Sequence, residues 1–351
     1  MAYSIQEAKD LVIKAGHELL ETGLIARTWG NISARVSDTH FVITPSGKAY
    51  DSLTPDDIVL VKISDCSYEG DVKPSSEKGV HAEGYKLRKD ANFIVHTHQN
   101  NASALSIIGR KIKDIESYGR ENAELLGPVI PTAVYGLSST KTLKNNVAKA
   151  ISDNPLANTV LMRYHGAVCL GKDYDNAFDI AHALEYVTGR CYEKYVGERV
   201  RTVDDTGKCY TWCDEVQVRR FREYCRDDSI GAVVRTETPY VKIMSGYGQD
   251  MKPYIDDLAQ IAGTLIRCLP ADYSEAQIKN AMNGRAAALV TGNGAICVGK
   301  NKDEAEAVCM VLEKGAQAAF LARFAGNIPP IGGLSTAIER KVYVMKYSKL
   351  K

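Results

Sequence analysis

The chain is 351 residues long, carries 44 Lys and Arg against 43 Asp and Glu for a formal charge of +1, and is 45% hydrophobic. That length suits about two ordinary domains with packed cores, and the interspersed charges leave no basic stripe to hold a nucleic acid. Met1 to Lys14 lacks the apolar stretch of a secretory signal and no apolar run approaches the roughly 20 residues of a membrane helix, so a cytoplasmic protein acting on a small molecule is expected.

In chain order, residues 4 to 22 predict an amphipathic helix, with Ile5, Ala8, Leu11, Val12, Ala15, Leu19 and Leu20 at spacings of three and four and Gly23 at its end. Gly30 to Val36 and Phe41 to Thr44 predict paired strands, Pro45-Ser46-Gly47 a turn, and Ile58 to Val61 a further strand. Glu77 to Arg88 predicts a helix. The apolar run Phe93-Ile94-Val95 predicts a strand continuing into His96-Thr97-His98, and Ala102 to Ile108 a second helix. The alternation predicts helices around a mostly antiparallel sheet. A charged, irregular stretch from about Arg201 to Tyr240 reads as a linker. The nine cysteines follow no paired framework and are expected to be free and mostly buried. The spacings of Cys191, Cys209, Cys213 and Cys225 fit no short zinc knuckle.

An internal repeat is present. His165 to Ala177 matches Asn293 to Ala305 at an offset of 293 − 165 = 128, and Leu184-Glu185 matches Leu312-Glu313 at the same offset. A strand, a glycine turn and a helix have been duplicated, which predicts two related domains in tandem, 1–225 and 226–351. The copies differ where His165 becomes Asn293, and the second half holds no histidine. Metal chemistry is therefore expected in the first domain only.

In that domain three imidazoles and a carboxylate stand out: His96, His98, His165, and the Glu77 of Pro74-Ser75-Ser76-Glu77. On a strand, side chains two residues apart share a face with Cα atoms roughly 6.6 Å apart, so His96 and His98 can reach one ion. Two strand histidines alone serve packing more often than metal binding, and the third histidine with the carboxylate shifts that balance. Three neutral imidazoles suit zinc, or manganese or cobalt as alternatives, and leave a coordination position open for substrate. His81 lies one turn after Glu77 and is placed to orient it, whereas His182, between Ala181 and Ala183, reads as a core histidine.

Taken in order, Gly30-Asn31, Pro45-Ser46-Gly47, Pro74-Ser75-Ser76-Glu77, His96-Thr97-His98, Ile130-Pro131 to Tyr135 and His165-Gly166 resemble the class II aldolase/adducin head family over roughly residues 5 to 195. The resemblance implies a three-layer α/β/α fold with a central, mostly antiparallel sheet, here followed by a smaller degenerate copy. It implies that His96, His98 and His165 bind the divalent metal, usually zinc, and that Glu77 is the general acid/base beside the substrate carbonyl. It further implies that Gly30, Asn31, Ser46, Gly47, Ser75 and Ser76 hold a substrate phosphate. Tyr135 matches a tyrosine that reaches a neighbouring subunit's site and exchanges a proton with the aldehyde fragment.

The implied reaction is retro-aldol cleavage of a hydroxy-ketone or sugar phosphate in a homo-oligomer. An ion bound to a carbonyl and its neighbouring hydroxyl acts as a Lewis acid and stabilises the enediolate left when the adjacent carbon–carbon bond breaks. Without the resemblance, the small residues are ordinary turn residues and Tyr135 a half-buried strand tyrosine. The same centre would serve an epimerase, a decarboxylase or a diketone carbon–carbon hydrolase. Glu77 favours the lyase, while Trp29, in place of the small residue of the aldolase members, favours the epimerases. A non-catalytic adducin-like interaction module would have lost the metal ligands, and all three histidines are present.

Overall fold

The first helix, α1 (Ile5–Glu21), begins where Ser4 and Glu7 form a reciprocal capping box and buries Ala8, Val12, Ala15 and Leu19, one turn apart along a single face. The computed structural model describes residues 3–25, 29–197 and 209–347. After α1 come β1 (Asn31–Arg35), β2 (His40–Ile43), β3 (Val59–Lys62), α2 (Lys78–Leu87), β4 (Phe93–Thr97), α3 (Asn100–Ser106), β5 (Ile112–Lys113), α4 (Arg120–Leu126) and β6 (Val129–Ile130). Then follow β7 (Thr132–Ala133), α5 (Lys141–Ser152), β8 (Thr159–Met162), β9 (Gly166–Gly171) and α6 (Tyr174–Val196).

The main sheet has the order β3-β2-β1-β4-β9-β8-β7. Its neighbours are antiparallel except β7 and β8, which are parallel. Strand alternation divides the core into two layers. Phe93 and Val95 of β4 pack with Ile32 of β1, α1 and α6, while Ile94 packs with Val80 and Tyr85 of α2 and Leu143 and Val147 of α5. The first unit is therefore the expected three-layer α/β/α arrangement. Its central strand, β4, is hydrogen-bonded to β1 on one side and β9 on the other, so the backbone leading to His96 and His98 is held from both edges.

The chain divides between Tyr192 and Glu193, earlier than the expected boundary at 225/226. The expected linker is also corrected. Within 209–240 lie β10 (Tyr210–Trp212), α7 (Glu215–Cys225) and β11 (Ala232–Thr236), and residues 201–208 fall outside the described residues. Helix α7 is so charged that Val218 and Phe221, its buried residues, do not form a visible apolar stripe, and β10 is three residues long. The second unit continues with α8 (Pro239–Gly246), β12 (Arg267–Leu269), α9 (Glu275–Met282), β13 (Ala287–Val290), β14 (Ala295–Gly299), α10 (Lys302–Phe324) and α11 (Gly333–Val342). Its sheet has the order β10-β11-β14-β13-β12.

Two smaller expectations change as well. His182 is exposed, because on α6 the buried face passes through Ala181 and Leu184 and leaves position 182 towards solvent. All nine cysteines are free, but only Cys169, Cys191, Cys297 and Cys309 are fully buried. No helix among the described residues is long and apolar enough to cross a membrane.

Gly166 begins β9 where the strand meets β4, and a Cβ built on it would lie 2.3 Å from the Thr97 carbonyl oxygen. Gly166→Ala is expected to push β9 from β4 and cost about 1–3 kcal/mol, as overpacking in rigid cores does. A thermal midpoint lowered by several degrees in circular dichroism would confirm it, and an unchanged midpoint would contradict the close approach.

Candidate metal centre

The site assembles where three chain segments meet. His96 is the fourth residue of β4 and His98 follows the strand's end. His165 stands in the tight β8–β9 connection, where its N–H donates to the Met162 carbonyl at 3.0 Å and the preceding Tyr164 takes the left-handed φ of +62°. Glu77 lies at the N-terminus of α2, with Ser75 Oγ accepting from its backbone N–H at 3.2 Å. His96, His98, His165 and Glu77 are all buried.

One nitrogen from each histidine lies within 4.8 Å of the other two. Bonds of about 2.0–2.1 Å to a zinc ion place three such nitrogens roughly 3–4 Å apart, so the donor set suits one ion. Among the described residues no cysteine joins a group of this kind.

The protonation pattern makes the same point independently. His96 Nδ1 is 2.8 Å from the Ala167 carbonyl, which can only accept, so that nitrogen carries the hydrogen and Nε2 presents a lone pair. Facing it are His98 Nε2 at 2.9 Å and Glu77 Oε2 at 3.2 Å, while Glu77 Oε1 is 3.3 Å from His165 Nε2. Acceptors facing one another in a dry site repel unless a cation, a ring proton or a metal ion, lies between them. Burial alone would raise the Glu77 carboxyl, but with a proton on the facing nitrogens of His165 and His96 their charge and hydrogen bonds outweigh burial and hold the group well below the usual carboxylate range.

The segments expected to hold phosphate converge at the same end of the β1–β2 hairpin. Ser46 N donates to Lys73 O at 2.9 Å and Ser75 N to Thr44 O at 3.0 Å, which ties the loop after β2 to the loop before α2. Gly47 follows on the first of these loops and Ser76 on the second, where Ser139 Oγ donates to Ser76 Oγ at 2.7 Å. Gly30 has a φ of +128°, and a Cβ there would sit 2.5 Å from the His96 carbonyl oxygen. Its glycine is thus required by packing against β4. Asn31 is buried and donates from Nδ2 to Glu77 Oε2 at 3.2 Å. Tyr135 is half-buried just after β7, with its ring edge-on to that of Tyr164 at 5.5 Å.

Ser33 and Tyr85, not assigned to the site by sequence, join it through His81, which the sequence placed to orient Glu77: His81 bonds to Asn31 Oδ1, and Ser33 Oγ lies 2.6 Å from His81 Nδ1 and 2.8 Å from Tyr85 OH. A signal for them does exist. Glu77, His81 and Tyr85 recur every four residues and Asn31 and Ser33 every two, the periods of a helix face and a strand face.

The family model described as "Class II Aldolase and Adducin N-terminal domain" matches residues 10–191 and 219–320. The chain belongs to this family. The 5-deoxy-D-ribulose 1-phosphate aldolase of Bacillus thuringiensis is 29% identical over 196 residues, 55% of this chain and 89% of its own length. The L-fuculose phosphate aldolase of Escherichia coli K12 is 34% identical over 168 residues, 48% of this chain and 74% of its own. Among solved structures, an L-fuculose 1-phosphate aldolase matches with a TM-score of 0.50 and 30% identity, covering 58% of this chain and 93% of that one.

The second class II aldolase-like segment keeps the frame and lacks the histidines and the glutamate. In the first unit His96 pairs with Val168, and in the second Arg235 pairs with Ile296, which is 296 − 168 = 128 residues later, the offset of the repeat. The Glu185 carboxylate accepts from Asn101 N and Ala102 N at the start of α3, and Glu313 accepts from Tyr240 N and Val241 N at the start of α8. This register puts Arg235, Glu237 and Asn293 at the places of His96, His98 and His165. The turn Ala91 N to Arg88 O recurs as Ile230 N to Asp227 O, and counting back 88 − 77 = 227 − 216 = 11 residues puts Val216 at the place of Glu77. Arg235, Glu237, Asn293 and Val216 are exposed.

Burial, reinforced by the neighbouring His96, pushes His81 down to about 3. An unfolded imidazole takes up its proton near pH 6.5, so from there downwards the unfolded state binds the extra proton and gains. Stability is expected to fall as pH drops from 6.5 to 5, by up to about 1.4 kcal/mol per unit for this one group. His81→Gln should flatten that segment of a urea-denaturation profile. An unaltered slope in the variant would show that His81 is not held neutral.

Proposed function

We propose that the first unit is a metal-dependent lyase that cleaves a carbon–carbon bond of a sugar phosphate, or a related hydroxy-ketone, by retro-aldol chemistry. The observation that carries this reading is the convergence of three imidazole nitrogens with both oxygens of one buried carboxylate. The names of the relatives supply the substrate class.

In this reading His96, His98 and His165 hold a divalent ion, zinc foremost and manganese or cobalt as alternatives. When bound, the ion supplies Lewis-acid polarisation of the substrate carbonyl. Glu77 takes or returns the proton next to that carbonyl, and its ionised form is the one the site favours. His96 keeps a fixed tautomer, because the strand-bound Ala167 carbonyl holds its Nδ1 hydrogen and leaves Nε2 as the donor atom.

The substrate phosphate would lie at the end of the β1–β2 hairpin, where Gly30, Asn31, Ser46, Gly47, Ser75 and Ser76 bring backbone amides and small hydroxyls together. Tyr135 would exchange a proton with the aldehyde fragment's oxygen at the site of a second copy in a homo-oligomer, taking it from the substrate hydroxyl in the cleavage direction. The second unit, with Arg235, Glu237 and Asn293 in place of the histidines, takes no part in the chemistry.

Protein purified without added metal is expected to hold about one divalent ion per chain, and chelation to abolish cleavage of L-fuculose 1-phosphate or 5-deoxy-D-ribulose 1-phosphate. Glu77→Gln should keep the ion in elemental analysis while lowering kcat roughly 10²- to 10⁴-fold. Full turnover by that variant would remove Glu77 from the mechanism, and full turnover after chelation would remove the metal.

A further inference from the structure

We propose that Tyr85, Ser33, His81 and Asn31 form a one-directional chain of hydrogen bonds that positions the Glu77 carboxylate. This inference rests on the reading of Glu77 as the acid/base.

The direction follows from which atoms can only accept. The Glu77 carboxylate has no hydrogen to give, so the Asn31 Nδ2 amide donates to Oε2 at 3.2 Å. That orientation turns Asn31 Oδ1 towards His81, and a carbonyl oxygen only accepts, so His81 Nε2 carries the hydrogen. On a neutral ring Nδ1 is then bare and accepts from Ser33 Oγ at 2.6 Å. Ser33 has now used its one hydrogen, and its oxygen accepts from the Tyr85 phenol at 2.8 Å. On the neutral ring each bond fixes the next, and no other assignment satisfies all four.

The chain is anchored at its far end. Arg35 lies over the Tyr85 ring at 4.6 Å and donates to the Tyr85 and Arg88 carbonyls at 2.9 and 3.0 Å. Tyr85, Ser33 and His81 are fully buried, with Asn31 and Glu77 nearly so. A packing role alone would be filled by apolar residues at lower desolvation cost. The polar chain ends instead on one oxygen of Glu77 and leaves the other turned to His165 at 3.3 Å. His81, Ser33 and Tyr85 are positioning residues: through Asn31, which also lines the proposed phosphate site, they set the rotation of a carboxylate whose distance to the reacting carbon decides its use.

The test compares wild type, His81→Leu, His81→Gln, Tyr85→Phe, Glu77→Gln and the double variant Glu77→Gln/His81→Leu, each loaded with zinc, using L-fuculose 1-phosphate as the probe. His81→Leu is expected to lower kcat roughly 10- to 100-fold at constant KM and constant metal content. His81→Gln keeps a donor for Asn31 and should recover most of that loss. Tyr85→Phe is nearly isosteric, keeps the fold if His81→Leu does not, and should lower kcat a few-fold. Because His81 acts only through Glu77, the double variant should be no slower than Glu77→Gln alone.

Multiplying losses in the double variant, or a His81→Leu defect confined to KM or metal content, would overturn the proposal. Independently of any substrate, nitrogen-15 spectra of labelled histidine should show the His81 hydrogen on Nε2, with His81→Gln providing the assignment. A hydrogen on Nδ1 would overturn the chain. Full turnover by Glu77→Gln would overturn the acid/base reading instead, and the tautomer measurement would still decide whether the chain exists.

Discussion

The packing of helix α2 on strand β1 is the constraint on which the site depends. A helix returns a side chain to the same face every fourth residue and a strand every second. Glu77, His81 and Tyr85 therefore form one row, Asn31, Ser33 and Arg35 another, and the two rows interlock in a polar seam beside otherwise apolar layers. The seam also registers α2 along the sheet. Because Asn31 pairs directly with His96, fixing Glu77 against Asn31 fixes it against the histidine on the next strand.

Burial gives that registration its chemical effect. In water a carboxylate and three imidazoles would be screened and indifferent to one another, whereas in a dry pocket each lone pair must find a positive partner. The Ala167 carbonyl removes one choice by taking the His96 Nδ1 hydrogen, and the remaining donor atoms point at a common volume. The frame itself thus makes the centre electron-rich.

The second unit separates what the frame needs from what the chemistry needs. Gly294 repeats the close approach of Gly166 to a β-strand carbonyl, with a built Cβ 2.0 Å from Thr236 O against 2.3 Å from Thr97 O, and Glu313 repeats the helix cap of Glu185. These are backbone constraints, and losing them would break the sheet or uncap a helix. Positions 235, 237, 293 and 216 carry no such load. In the second unit they hold Arg235, Glu237, Asn293 and Val216, all exposed to solvent, so the fold there does not require three histidines and a glutamate.

By itself the sequence determined the local elements around the site, the duplication and the donor types, because strand and helix periods, glycine turns and histidine spacing are properties of neighbours along the chain. The hairpin, α1, α2 and β4 all lie within a residue or two of their expected bounds. Family membership, too, was legible in the order of short motifs. Only the tertiary structure decided that Asn31 bonds to Glu77, that His81 is a buried neutral link, that α7 and β10 belong to the second unit, and that His182 faces solvent. Each of these depends on which face of one element meets which face of another. A periodic pattern specifies a face, but its partner, and the desolvation that sets proton positions, exist only once the layers have packed.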